Sequence, residues 1–150
     1  MVRSQRPPRG TKISPTSVDN LPAEWIHGAG ASSDGAILYL HGGGFVMGSP
    51  ATHRELASRI STAAGVRVFS LDYRLAPEHP FPAALTDTKL AYRWLLAQGH
   101  TPSQIVLGGE SSGGGLALQA LLSMKEEGTD LPSAGFFLSP VADWVVVNAG

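Results

Sequence analysis

Four short, continuous apolar runs, separated by longer stretches of helical periodicity, constrain this chain more than any other feature. The runs are residues 36–40 (Ala-Ile-Leu-Tyr-Leu), 66–71, 105–107 and 135–138, bounded by Gly or polar turns. Continuous runs of this kind predict strands buried on both faces. Between them the spacing predicts helices over 52–64, 82–98 and 112 to about 127. Each of these stops at a glycine: Gly65, Gly99 and Gly128. Strand and helix therefore alternate, which predicts an α/β fold with a mostly parallel central sheet and helices on both faces. Residues 1–20, with Arg3, Arg6, Pro7, Pro8 and Arg9, read as a polar, extended or loosely held arm. Residues 21–150 read as one partial α/β domain.

Composition narrows the function classes. Charged residues make up 15% of the 150, below a typical ~25%, and 18 glycines point to many tight turns. A net charge of -1 predicts no nucleic-acid partner and no attraction to an anionic membrane. The absence of cysteine excludes disulfides, thiolate metal sites and a cysteine nucleophile. Apolar runs of about five residues fall far short of the ~20 a membrane span requires. The basic start is not followed by an apolar stretch, so it does not read as a secretory signal. The expectation is a soluble, cytoplasmic protein.

Two glycine-rich segments follow predicted strands directly. One is His41-Gly42-Gly43-Gly44-Phe45, and the other is Gly109-Glu110-Ser111-Ser112-Gly113, continuing into Gly114 and Gly115. Gly-x-Ser-x-Gly between a strand and a helix is the pattern of a nucleophile elbow, with the serine projected from a sharp turn. Three consecutive glycines leave backbone N–H groups unshielded, which suits them to stabilising an oxyanion. Alone, either segment could be a packing turn; both, in this order and context, point to acyl chemistry.

The residues also carry a family resemblance. Leu38-Tyr39-Leu40-His41-Gly42-Gly43-Gly44-Phe45 continues to Ser49, Thr52 and His53. A second block runs from Asp72-Tyr73-Arg74-Leu75-Ala76-Pro77-Glu78 to Ala84. The third is Gly109-Glu110-Ser111-Ser112-Gly113-Gly114, then Leu138-Ser139-Pro140 with Asp143. Over about 21–143 the chain resembles the hormone-sensitive-lipase-like branch of the α/β-hydrolases, the bacterial carboxylesterases with the GDXG-type signature.

The resemblance implies a carboxylic-ester hydrolase acting on short to medium acyl esters, with a small-molecule ester as its partner and no metal or organic cofactor. It implies Ser111 as the nucleophile that forms an acyl-enzyme. The N–H groups of Gly43, Gly44 and Ser112 would hold the oxyanion, with His41, Gly42 and Glu110 in support. Two positions depart from the branch: Glu110 stands where it usually has Asp, and Ser112 where it usually has Ala. Glu110 keeps a carboxylate, and Ser112 is expected to act through its backbone. Arg74 and Glu78 are expected to pair or bond backbone, bracing the loop after the second strand. His53 and His79 read as capping or loop-bracing residues, and His27 and His100 as surface positions.

A serine hydroxyl needs a base, and in this fold the triad order is Ser, then Asp or Glu, then His. After Ser111 come Glu126, Glu127, Asp130 and Asp143, but no histidine; His100 is the last. The resemblance places the acid and histidine after later strands, so the chain reads as the nucleophile and oxyanion half of an esterase. Residues 144–150 depart from the family pattern. A base from His41, His79 or a partner chain is one alternative. Others are a non-catalytic hydrolase remnant or acyl-binding module without turnover, and an amidase or transacylase. The last apolar run, left at a sheet edge, is expected to favour self-association.

Overall fold

A computed structural model describes residues 6–142. Residues 1–5 of the arm, Asp143 and the tail 144–150 lie outside the described residues. A six-stranded sheet forms the centre, in the order β1-β2-β4-β3-β5-β6. The strands are β1 (Lys12–Val18), β2 (Leu21–His27), β3 (Ser32–Leu40), β4 (Val66–Leu71), β5 (Ile105–Glu110) and β6 (Ala134–Leu138). β3 pairs in parallel with both β4 and β5, and β5 with β6. The helices are α1 (Arg54–Ala64), α2 (Ala83–Ala97) and α3 (Ser112–Glu126).

Alternation along the strands divides the core between the two faces. Leu38, Leu40, Phe69, Leu71 and Leu107 point to one side and pack with Ala91 and Leu95 of α2 and Leu116 and Ala120 of α3. Ile37, Tyr39 and Val68 point to the other and meet Ala57 of α1. Both faces are covered, which is why β3 and β4 read as nearly unbroken apolar runs. Each fully buried Leu contributes roughly 1.5–3 kcal/mol.

Within the arm expected over 1–20, the described residues include a strand. Lys12–Val18 is a strand, paired antiparallel with β2 from Lys12↔His27 to Val18↔Leu21, and Val18 is fully buried. The hairpin closes through Asp19-Asn20, with Asp19 at φ 50°. β1 lies at the sheet edge with mostly polar, exposed residues and Pro15 in its middle. A solvated edge strand lacks the apolar run that marks its central neighbours, and Pro is tolerated there. β2 also pairs antiparallel with β4, so an antiparallel edge joins an otherwise parallel sheet. Elsewhere boundaries shift by a few residues. The first helix starts at Arg54, after a separate 3₁₀ turn over Ala51–His53, and β3 begins at Ser32.

Candidate active site

The C-terminal ends of the two central parallel strands β3 and β5 lie side by side, with Leu40 paired to Gly109. The two glycine-rich segments that follow them are thus brought together by the sheet. Ser111 occupies the β5–α3 junction at φ 52°, ψ -122°, a conformation costly for a residue with a Cβ. Its strain is held by its surroundings. The Ser111 N–H donates to the Leu138 carbonyl (2.9 Å), while its own carbonyl accepts from Gly115 N–H and Val141 N–H, each at 3.1 Å. The turn after β6 therefore grips the serine peptide on both sides.

Close approach explains the glycines here. A Cβ on Gly113 would stand 2.0 Å from the Leu40 carbonyl oxygen, so α3 can start against β3 only without a side chain. At Gly43, φ is 134° and a Cβ would lie 2.0 Å from the Met47 carbonyl oxygen. The loop folds back here, with Val46 and Met47 N–H groups donating to the Gly43 carbonyl at 3.2 and 3.1 Å. No side chain caps α3 at Ser111. Its first-turn N–H groups thus keep the positive end of the helix dipole directed at the serine.

Two side chains from the β5–α3 turn hold the glycine loop. Glu110 Oε1 accepts from the Gly42 N–H at 2.7 Å. Ser112 is fully buried, and its Oγ accepts from the Gly44 N–H at 3.0 Å. The Ser112 hydroxyl is thus engaged with the loop, an interaction separate from the backbone role expected for this residue.

His41 is fully buried beneath the loop. Its Nδ1 faces the Gly42 carbonyl at 2.8 Å. A carbonyl only accepts, so Nδ1 carries the proton. Nε2 then bears a lone pair and has no partner among the described residues. Burial pushes the His41 pKa down to about 4, against a smaller opposing effect of the Gly42 bond. The ring stacks on Tyr73 at 4.4 Å and 13°, and the Tyr73 hydroxyl donates to the His41 carbonyl at 2.6 Å. Burial also raises the Tyr73 pKa.

One expectation gains a specific partner at this point, and another changes. His53, read as a bracing residue, reaches Glu110: Nε2–H donates to Oε1 at 2.8 Å, and Nδ1 lies 2.8 Å from Thr52 Oγ1. Arg74 does not pair with Glu78. Its Nε and NH2 donate to the Asp87 carboxylate at 3.0 and 2.7 Å, and its backbone N–H donates to Oδ2 at 2.9 Å. Asp87 is buried on α2 and faces the loop, whereas Glu78 is exposed. Tyr73, His53 and Asp87 in these roles were not legible in sequence, since their partners lie 32, 57 and 13 residues away. His79 is exposed on the Leu75–Pro80 turn, His27 bonds Ser33, and the half-buried His100 faces Arg67.

A strained serine between a parallel strand and a helix, facing a glycine loop from the neighbouring strand, defines the α/β-hydrolase class. A family described as alpha/beta hydrolase fold matches residues 37–149, and the chain belongs to that family, in its hormone-sensitive-lipase-like branch. It is 48% identical over 128 residues to an acetyl-hydrolase of Streptomyces hygroscopicus, covering 85% of this chain and 42% of that protein. It is 41% identical over 143 residues to the carboxylesterase/phospholipase LipF of Mycobacterium tuberculosis, covering 93% and 38%. A crystal structure of an esterase from the bacterial hormone-sensitive lipase family superposes with a TM-score of 0.89 at 52% identity, over 93% of this chain and 47% of that one. The esterase EstE5, in crystals soaked with p-nitrophenyl butyrate, gives 0.93 at 44%, over 97% and 50%. The chain spans about half or less of the length of these relatives. No helix among the described residues is long and apolar enough to cross a membrane.

Proposed function

We propose that the chain supplies the nucleophile and oxyanion half of a carboxylic-ester hydrolase that cleaves short to medium acyl esters through a serine acyl-enzyme. The carrying observation is Ser111, in a strained turn opposite a glycine loop that Glu110 and Ser112 tie to the elbow. Ser111 Oγ attacks the ester carbonyl carbon and its proton passes to a base. The carbonyl electron pair becomes an oxyanion facing the N–H groups of Gly43, Gly44 and Ser112. Collapse expels the alkoxide, which takes the proton back, and water then hydrolyses the acyl-serine by the same route. Glu110, Gly42 and His41 position the loop.

The chain has no histidine after His100. His41 has a pKa near 4 and an Nδ1 engaged with Gly42, a poor match to a base working near neutrality. The base is therefore assigned to a segment or chain beyond the described residues. The acyl range rests on the acetyl-hydrolase and butyrate-soaked relatives. The β6 edge, unpaired among the described residues and with Leu138 42% exposed, supports self-association.

Hydrolysis of p-nitrophenyl acetate and butyrate tests the reading. Without its base the chain is expected to retain only about 10³–10⁴ over water, and with the base restored Ser111→Ala should cost about 10⁶ in turnover. Equal rates for the parent and Ser111→Ala, in both forms, would remove the nucleophile assignment.

A further inference from the structure

We infer that the Ser112 hydroxyl is a latch that holds the Gly44 N–H in the resting site and competes with the oxyanion for it. The inference rests on the oxyanion role proposed above. Its observation is that Gly44 N–H donates to the fully buried Ser112 Oγ at 3.0 Å.

Donor accounting fixes the direction of this contact. A backbone N–H only donates, so the Ser112 Oγ is the acceptor of the Gly44 bond. What Ser112 presents to Gly44 is then a lone pair. Ser112 is fully buried whereas Gly44 is exposed, so the bond sits at the boundary between the core and the open face of the loop. Without the hydroxyl the Gly44 N–H loses this protein partner and is left to solvent. Ser112 thereby stabilises the empty site. An oxyanion must displace the hydroxyl to gain the Gly44 donor, so part of its binding is offset. Ser112 is on these grounds a positioning residue whose side chain sets how strongly the loop grips a negative oxygen.

Amide exchange in ¹⁵N-labelled protein reads the latch without turnover. In Ser112→Ala the Gly44 amide should exchange at least about tenfold faster. Val46 and Met47, whose N–H groups bond the Gly43 carbonyl within the same loop, should stay within about twofold. Acceleration of all three together, or of none, overturns the latch. In Ser112→Thr, which keeps the hydroxyl, Gly44 protection should return; continued loss in that folded variant also counts against the proposal.

Benzeneboronic acid reads the competition. It forms a tetrahedral adduct on a serine oxygen, with the serine proton passing to water. Ser112→Ala should bind it roughly threefold to tenfold more tightly, and equal or weaker binding overturns the competition. Ser111→Ala separates the two readings: the adduct should vanish while the Gly44 exchange pattern persists. If no protein forms an adduct, the nucleophile assignment fails and exchange alone decides the latch.

Discussion

At the scale of single residues, charge and proton placement decide how the loop is held. Glu110 Oε1 is shared by Gly42 N–H and His53 Nε2–H, so one carboxylate ties the elbow both to the glycine loop and to the residue preceding α1. A carboxylate oxygen at this position can accept both bonds, because it carries two lone pairs and no proton. His41 carries the clearest pH consequence. Its folded pKa is lowered from 6.5 to about 4 by burial, so the unfolded chain takes up a proton that the folded chain refuses. Stability is full above pH 6.5 and falls as pH drops from 6.5 towards 4, by about 3 kcal/mol for this group. Urea titrations at pH 7.5 and 4.5 should show this loss. His41→Asn should reduce the difference while lowering stability at both pH values. A residual slope remains from His27 and His100, whose pKa values burial also lowers. An unchanged pH dependence in His41→Asn would mean that its proton is not excluded by folding.

At the scale of elements, the junction of β3, β5 and α3 is set by backbone approach more than by side-chain packing. Gly113 brings the start of α3 onto the end of β3, with 2.0 Å between a built Cβ and the Leu40 oxygen and 2.5 Å to that of His41. Both obstacles are main chain, so neither can rotate away. Gly113→Ala is expected to cost more than about 3 kcal/mol in urea unfolding. Gly30→Ala, where φ is 75° and nothing lies within 4 Å, should cost only about 1 kcal/mol. Equal losses would show that α3 can move off β3. The β1–β2 hairpin follows the opposite logic. Its outer strand is polar and tolerates Pro15, because one side of its backbone faces solvent. Only Val18 of that strand is fully buried.

At the scale of the whole molecule, the two sheet edges differ in kind. β1 is polar and carries Pro15, devices that discourage edge pairing, whereas β6 presents half-buried Phe136 and Phe137 and exposed Leu138. Sedimentation should therefore show concentration-dependent association of the chain. Leu138→Lys, which places a charge on that edge, should shift it towards monomer by about tenfold in dissociation constant, the equivalent of about 1.4 kcal/mol. Association unaffected by this change would assign it to another surface.

Much of the fold was legible because β3, β4, β5 and α1–α3 write their burial into the sequence as local patterns. A strand covered on both faces needs a continuous apolar run, and a helix on such a sheet needs an apolar stripe. Ser111 and the His41–Gly44 loop were legible for a related reason. Sharp turns and close backbone approach admit few residues, so the glycines mark them. The β1–β2 hairpin escaped because a solvated edge imposes little on composition, and its Asp19-Asn20 turn is a weak signal in a polar stretch.

The partnerships were decided only by tertiary structure. His53 meets Glu110, Arg74 takes Asp87 instead of Glu78, and Ser112 turns its hydroxyl to Gly44 through pairings that join residues 57, 13 and 68 positions apart. A hydrogen bond depends on which atoms arrive within about 3 Å, and that is set by strand order and register. The sequence by itself determined which chemistry Ser111 and its glycines are suited to. The parallel register of β3 beside β5 determined what surrounds them, because it alone brings the two loops to the same end of the sheet.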